Sequence, residues 1–291
     1  MNRREFLEKT SFGAALACIL GRRLPAEEAQ ASASAAGIRI GGCDWSLGKE
    51  GDPAAFDVAK AAGLDGVEVS CGKGKDRLPI AEPERQKKSL DAARKHQLAI
   101  PSTCLEVLHR DGLKSHPDAV KWIREAIEPT RALGAKVILL PFFGKQAIEE
   151  AKEREVVAAR LKEVAPEAEK AGVILGLENT ISAKDNAWIL DRVGSKAVQV
   201  YYDVGNSHRG KHDIYSEVPW LGKDRVCMIH IKDRGYLGKG EIDFPRFLGT
   251  VLESGYTGWL NLETAIVKDA AEDFAANAAF VRSTLRKKGT A

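Results

Sequence analysis

Four side chains in the second half of the sequence could hold a metal ion together: Glu178 in ILGLEN, Asp203 in VQVYYDVGN, His230 in VCMIHIKD and Glu263 in WLNLETA. Each stands at the C-terminal end of a strand-like run. Three carboxylates and one imidazole offer hard oxygen donors with a single nitrogen, which favours Mn²⁺, Mg²⁺, Co²⁺ or Zn²⁺ over a soft metal. The chemistry of such a set is Lewis-acid chemistry on an oxygen-rich substrate. One acid at a strand end is more often a helix cap or an ion-pair partner, and one histidine more often satisfies a local hydrogen bond. It is the set, spaced by one or two strand-helix steps per ligand, that points to a site.

The elements around these residues decide whether they can meet. Apolar β-type runs lie near 38–44, 66–71, 99–105, 136–142, 173–178, 197–203, 226–232 and 258–263, and helical runs near 53–62, 82–97, 117–133, 148–171, 183–192, 212–220, 243–254 and 269–287. The strands are continuous apolar runs rather than alternations, which suits a parallel sheet covered by helices. Ala62-Gly63, Leu133-Gly134 and Ala171-Gly172 place glycine where helix ends need positive φ. Asp52-Pro53 reads as an N-cap with proline at the first helical position, and Ser182 with Asp185 as a capping box. Asp243 reads as the cap of the seventh helix. Eight strand-helix pairs make the expected fold class α/β, a single-domain (β/α)8 TIM barrel, whose C-terminal rim would gather the four ligands over one mouth. An open doubly wound sheet is the alternative, and no GxGxxG follows the first strand to support it. Gly72-Lys73-Gly74-Lys75 lacks the phosphate-loop spacing and reads as a flexible loop.

With 291 residues, 44% hydrophobic and 29% charged, the chain can bury a large core without disulfides. Its 44 basic and 41 acidic residues give a formal charge of only +3, spread along the chain, so nothing points to a nucleic-acid partner. Residues 1–35 read as an export leader and disordered linker: Arg3-Arg4 precedes a short apolar stretch from Phe12 to Leu20, and Ala29-Gln30-Ala31 could precede a cleavage point. The leader resembles a twin-arginine signal, which implies an exported, periplasmic protein. No later run offers the 18 or so apolar residues of a spanning helix, so no stable membrane insertion of the mature protein is expected. Cys43, Cys71, Cys104 and Cys227 lie far apart without a CxxC and read as buried thiols.

The segments GLEN, YYDVGN, HIKD, Gly238-Lys239-Gly240-Glu241-Ile242-Asp243-Phe244 and LETA, in that order, resemble the xylose-isomerase-like TIM barrels over roughly 37 to 288. We therefore expect that barrel over 36–291. The resemblance to its ketose epimerase branch implies one divalent metal on Glu178, Asp203, His230 and Glu263, with Glu178 and Glu263 also moving the substrate's proton. A polarised carbonyl acidifies the C–H beside it, and the resulting enediolate needs a cation near its oxygen. The activity implied is that of a metal-dependent sugar isomerase or epimerase. A lyase eliminating from 3-keto-glycosides, or a noncatalytic carbohydrate-binding barrel, are the alternatives, and export argues for an unphosphorylated sugar or keto-sugar. Endonucleases of this superfamily carry more histidines than the six here.

One departure concerns the position three residues after the aspartate, a substrate-binding histidine in that branch. Here it is Asn206, with His208 the nearest imidazole. Arg234 after the seventh strand, Glu68 ending the second, Glu106 and His109 after the third, and Trp45 after the first complete the candidate substrate-binding residues. Lys232 is read as pointing elsewhere. No exposed stripe indicates an oligomeric state.

Overall fold

The computed structural model describes residues 37–289. The proposed leader therefore lies outside the described residues. The apolar runs become eight parallel strands: β1 (Arg39–Cys43), β2 (Gly66–Ser70), β3 (Ser102–Cys104), β4 (Val137–Pro141), β5 (Ile174–Glu178), β6 (Val198–Asp203), β7 (Val226–Ile231) and β8 (Trp259–Leu262). They close in sequence order, with β8 pairing back onto β1, as a (β/α)8 TIM barrel. Strands such as Val137–Pro141 are buried along their whole length, as expected for a sheet with helices outside and packed side chains within.

The helices are α1 (Ala55–Ala61), α2 (Pro83–His96), α3 (Ala119–Ala132), α4 (Ala151–Ala171), α5 (Ala183–Val193), α6 (Val204–Arg209), α7 (Ile214–Leu221), α8 (Phe244–Glu253) and α9 (Ala270–Gly289). Their inner faces carry Phe56, Trp122, Phe244, Phe247 and Phe274, each almost fully buried. Burying a side chain of that size contributes about 1.5–3 kcal/mol. Several boundaries follow the local chemistry. Ser182 Oγ accepts the Asp185 N–H at 3.1 Å to start α5, and Asp243 accepts the Arg246 N–H at 3.0 Å to start α8. Gly172, at φ 68°, ends α4 in the left-handed conformation that disfavours a side chain.

Three of the differences from expectation have a clear local cause. Helix α1 begins two residues late because the Asp52 carboxylate takes the Ala54 N–H at 2.9 Å, holding a turn before the helix. Strand β3 is shorter than 99–105: Ala99 makes only an isolated bridge to Gly66, and Pro101 has no N–H for the ladder. Helix α6 was not anticipated; Asp203, the last residue of β6, also caps it by accepting the Asn206 N–H at 2.7 Å. The four cysteines among the described residues are free, three of them buried. Among the described residues no helix is long and apolar enough to cross a membrane.

Candidate active site

Side chains along a strand alternate, so the residue two before each rim ligand lies one layer deeper in the barrel. Tyr201, Met228 and Asn261 hold those deeper places, two residues before Asp203, His230 and Glu263. Asn261 fits because β1 has glycine opposite: a Cβ on Gly41 would fall 2.2 Å from Asn261 Oδ1. Tyr201 and Asn261 both donate to Glu68 Oε2, at 2.8 and 3.1 Å. Glu68 is fully buried beneath the rim, and it receives His230 Nε2 at 2.9 Å. Cys43 Sγ lies 3.3 Å from the same nitrogen. Burial pushes the Cys43 thiol well up, and Cys43, Glu68 and His230 form a buried cluster beneath the rim.

That support orients the imidazole. With Nε2–H donated to the Glu68 carboxylate, Nδ1 turns toward Glu178 Oε1 at 3.2 Å, Glu263 Oε2 at 3.6 Å and Asp203 Oδ2 at 3.7 Å. One donor atom from each of the four residues lies within 4.8 Å of the others. Ligands bound about 2.0–2.2 Å from a common ion stand at most about 4.4 Å apart, so a modest contraction suffices. Asp203 Oδ2 is buried without a well-directed hydrogen bond. The chemistry of the donor set fits a divalent cation.

Lys232 changes the electrostatics, and it points into the site rather than elsewhere. Its ammonium lies 2.8 Å from Asp203 Oδ2 and contacts Glu263 Oε2. Burial works against charging Lys232, but Asp203 and Glu263 outweigh it and raise its pKa. Burial likewise would raise Asp203, yet Lys232 and His230 hold it well below the usual carboxylate range. Burial drives Glu178 the other way, upward, against the pull of His230. Three carboxyl groups thus face one ammonium around the His230 imidazole.

Above the cluster opens a cavity of 380 Å³, within the range that takes a small molecule. Glu178 and Glu263 both reach its wall, while Asp203 and His230 are buried behind them. Trp45, Glu106, His109 and Asn206 line it too, and so do Lys73 and Arg209. Trp45 donates Nε1–H to Glu263 Oε1 at 3.1 Å, and Asn206 Nδ2 donates to Glu178 Oε1 at 3.3 Å, so each glutamate is held by a side chain of the wall. His109 stacks on Phe143 with ring centroids 6.0 Å apart, and burial lowers its pKa, keeping the imidazole neutral. Glu106 accepts the Gly72 N–H at 2.9 Å through one oxygen while Oε1 has no partner, and burial raises its pKa.

Glu68, His208 and Arg234 do not line this cavity. Glu68 is the support below. His208 sits 3.5 Å from Glu241, and Arg234 is 83% exposed and pairs with the same Glu241 at 3.2 Å, not with Asp233. Residues two apart on a helix face opposite sides, so when Asn206 turns inward from α6, His208 turns away. Arg209, three on from Asn206, shares its face and contacts its Oδ1. Arg209, the inward Lys232 and the deeper Tyr201 and Asn261 were not among the sequence candidates. Period-two alternation from the ligands would have found the last two.

The profile of the xylose isomerase-like TIM barrel family matches residues 56–284. The chain belongs to this family. A family relative, the L-ribulose-5-phosphate 3-epimerase UlaE of Escherichia coli O1:K1 / APEC, is 28% identical over 264 residues, covering 80% of this chain and 88% of that protein. The barrel superposes on D-allulose 3-epimerase from Methylomonas sp., solved with D-allulose, with a TM-score of 0.70 and 18% identity, over 85% of this chain and 97% of the other. It also superposes on the E. coli 3-keto-D-glucoside 4-epimerase YcjR, with a TM-score of 0.66 and 17% identity, over 84% and 99%. At these identities the two structures speak for the fold.

Proposed function

We propose that this family member is a divalent-metal-dependent sugar epimerase or isomerase that moves a proton at a carbon beside a carbonyl. The observation that carries the reading is that Glu178 and Glu263, from β5 and the end of β8, reach one cavity wall and the same His230 Nδ1, at 3.2 and 3.6 Å. A substrate carbon seated between them has a carboxylate on either side, one to remove the proton and one to return it. Glu178, Asp203, His230 and Glu263 would hold the ion, which supplies polarisation of the carbonyl and charge balance for the enediolate. Asn206 and Trp45 keep the two glutamates in place, and the unpartnered Glu106 oxygen with the neutral His109 can bind sugar hydroxyls. The 3-epimerase activity of the relative UlaE supports this class of reaction.

The sugar we infer is unphosphorylated, because the twin-arginine-like leader argues for export to the periplasm. Elimination from a 3-keto-glycoside begins with the same enolate and differs only in product. Metal-loaded protein in D₂O with a panel of ketoses and 3-keto-glycosides tests the proposal. Deuterium at the α-carbon of intact, interconverted sugars is the expected result. A released aglycone with an unsaturated keto-sugar would replace epimerase by lyase, and absence of exchange across the panel would leave a carbohydrate-binding barrel.

A further inference from the structure

The cavity over the ligand cluster does not end at the cluster. Trp45, Arg209, Lys232 and Glu263 also line a second, more open concavity of 400 Å³ toward the loop after β8. The two lobes therefore form one trough that bends around Glu263, and each is large enough for a small-molecule group. Their chemistry differs. The first lobe adds Glu50, Lys73, Glu106, His109, Glu178 and Asn206, whereas the second adds only Ser46, Thr264, Ala265 and Ile266, all neutral.

The second lobe is also apolar at its lip. Ile266 and Val267 are 44% and 52% exposed, side by side at the edge of an otherwise polar site. Ile266 is backed by the loop after β1, where a Cβ on Gly48 would lie 3.3 Å from Ile266 Cδ1. At the junction Lys232 is paired with Asp203 and Glu263, while Arg209 donates to the neutral Asn206 amide oxygen at the end of the second lobe away from Ile266. Trp45, fixed by its hydrogen bond to Glu263, gives both lobes one aromatic wall. Away from that junction, a neutral group with an apolar face finds a tryptophan, an isoleucine and two small hydroxyls.

We propose that the substrate has two parts: a keto-sugar ring over the ligand cluster and a neutral, glycosidically linked group against Ile266, Ala265, Ser46 and Thr264. This rests on the enolising role proposed for the cluster. The same lobe serves an epimerase that keeps the linked group and a lyase that expels it.

The test compares 3-keto-glucose with its 4-nitrophenyl glycoside, in the metal-loaded wild type and in Ile266→Asp. Two readouts are used: kcat/KM for α-deuteration, and saturation transfer from protein to the aryl protons. The wild type is expected to favour the aryl glycoside by tenfold or more, and Ile266→Asp to erase most of that ratio and weaken the aryl saturation transfer. Metal content and melting temperature of the exposed-site variant check that it folds. Exchange at equal efficiency on both compounds, with no aryl saturation transfer, overturns the second lobe and leaves the enolising role standing. Aryl saturation transfer that depends on Ile266, without exchange, keeps the lobe and overturns the enolising role. Neither signal overturns both.

Discussion

On the first half of the barrel rim, Asp44 accepts the Ser70 N–H at 2.8 Å, the Ser70 hydroxyl at 2.6 Å and the Gly51 N–H at 2.9 Å, while Glu106 accepts the Gly72 N–H. On the second half, Glu178, Asp203 and Glu263 are turned toward one another and toward His230. Of those three, among the described residues, Asp203 alone receives a backbone N–H. Acids in both halves are deeply buried, with Asp44 and Asp203 each 2% exposed. Burial therefore does not distinguish a structural acid from a functional one; the partners do. A carboxylate bound to backbone amides fixes a loop, whereas carboxylates facing one another around an imidazole nitrogen repel unless a cation or a proton lies between them.

The comparison can be broken by changing one acid at a time. The largest effect is expected at the second-half rim: Glu263→Gln keeps metal binding, because the amide oxygen and three other ligands remain, but lowers α-deuteration by roughly 10²–10⁴-fold, the usual contribution of an acid-base group. Exchange kinetics in D₂O beside a metal titration check it, and undiminished exchange would move the base elsewhere. An intermediate effect is expected below the rim. Glu68→Gln weakens metal affinity by roughly 10–100-fold, because His230 loses the charged acceptor that holds its Nδ1 toward the ligands. Unchanged affinity in a folded variant would reduce Glu68 to packing.

The smallest effect on the site is expected on the first half. Asp44→Asn leaves metal affinity within about twofold and changes stability instead. Burial raises the Asp44 carboxyl from 3.8 to about 7. Its contribution to stability is thus fully present below about 3.8 and is lost as pH rises through about 7. Wild-type stability should fall relative to Asp44→Asn across that window, by on the order of 1 kcal/mol or more. Denaturant melts at pH 4 and pH 8 measure it, and parallel pH profiles would contradict it.

The same contrast explains what was legible in the sequence. Strands built from Val, Ile and Leu with glycine after each helix show through pattern alone, and a parallel barrel then puts Glu178, Asp203, His230 and Glu263 on adjacent strand ends without any contact being known. What escapes is local geometry. Asp203 is both strand end and N-cap, so α6 is hidden inside a run that reads as strand followed by loop, and the helical phase that turns Asn206 and Arg209 in and His208 out is hidden with it. Arg234 fails for a related reason. Its loop turns at Gly235, with φ 74°, and carries the guanidinium outward to Glu241. Lys232 shares the inward phase of His230, but only the neighbouring carboxylates explain why an ammonium should be tolerated there.

The second-half acids are proposed to form one cation site. Calorimetric titration of Mn²⁺ into chelator-stripped protein, wild type beside Asp203→Ala, tests it without any assumption about substrate. We expect one ion per chain in the wild type and affinity at least about 100-fold weaker in the variant, since a lost ligand should cost no less than a lost supporting group. No binding by the wild type, or affinity within twofold in the two proteins, would contradict it.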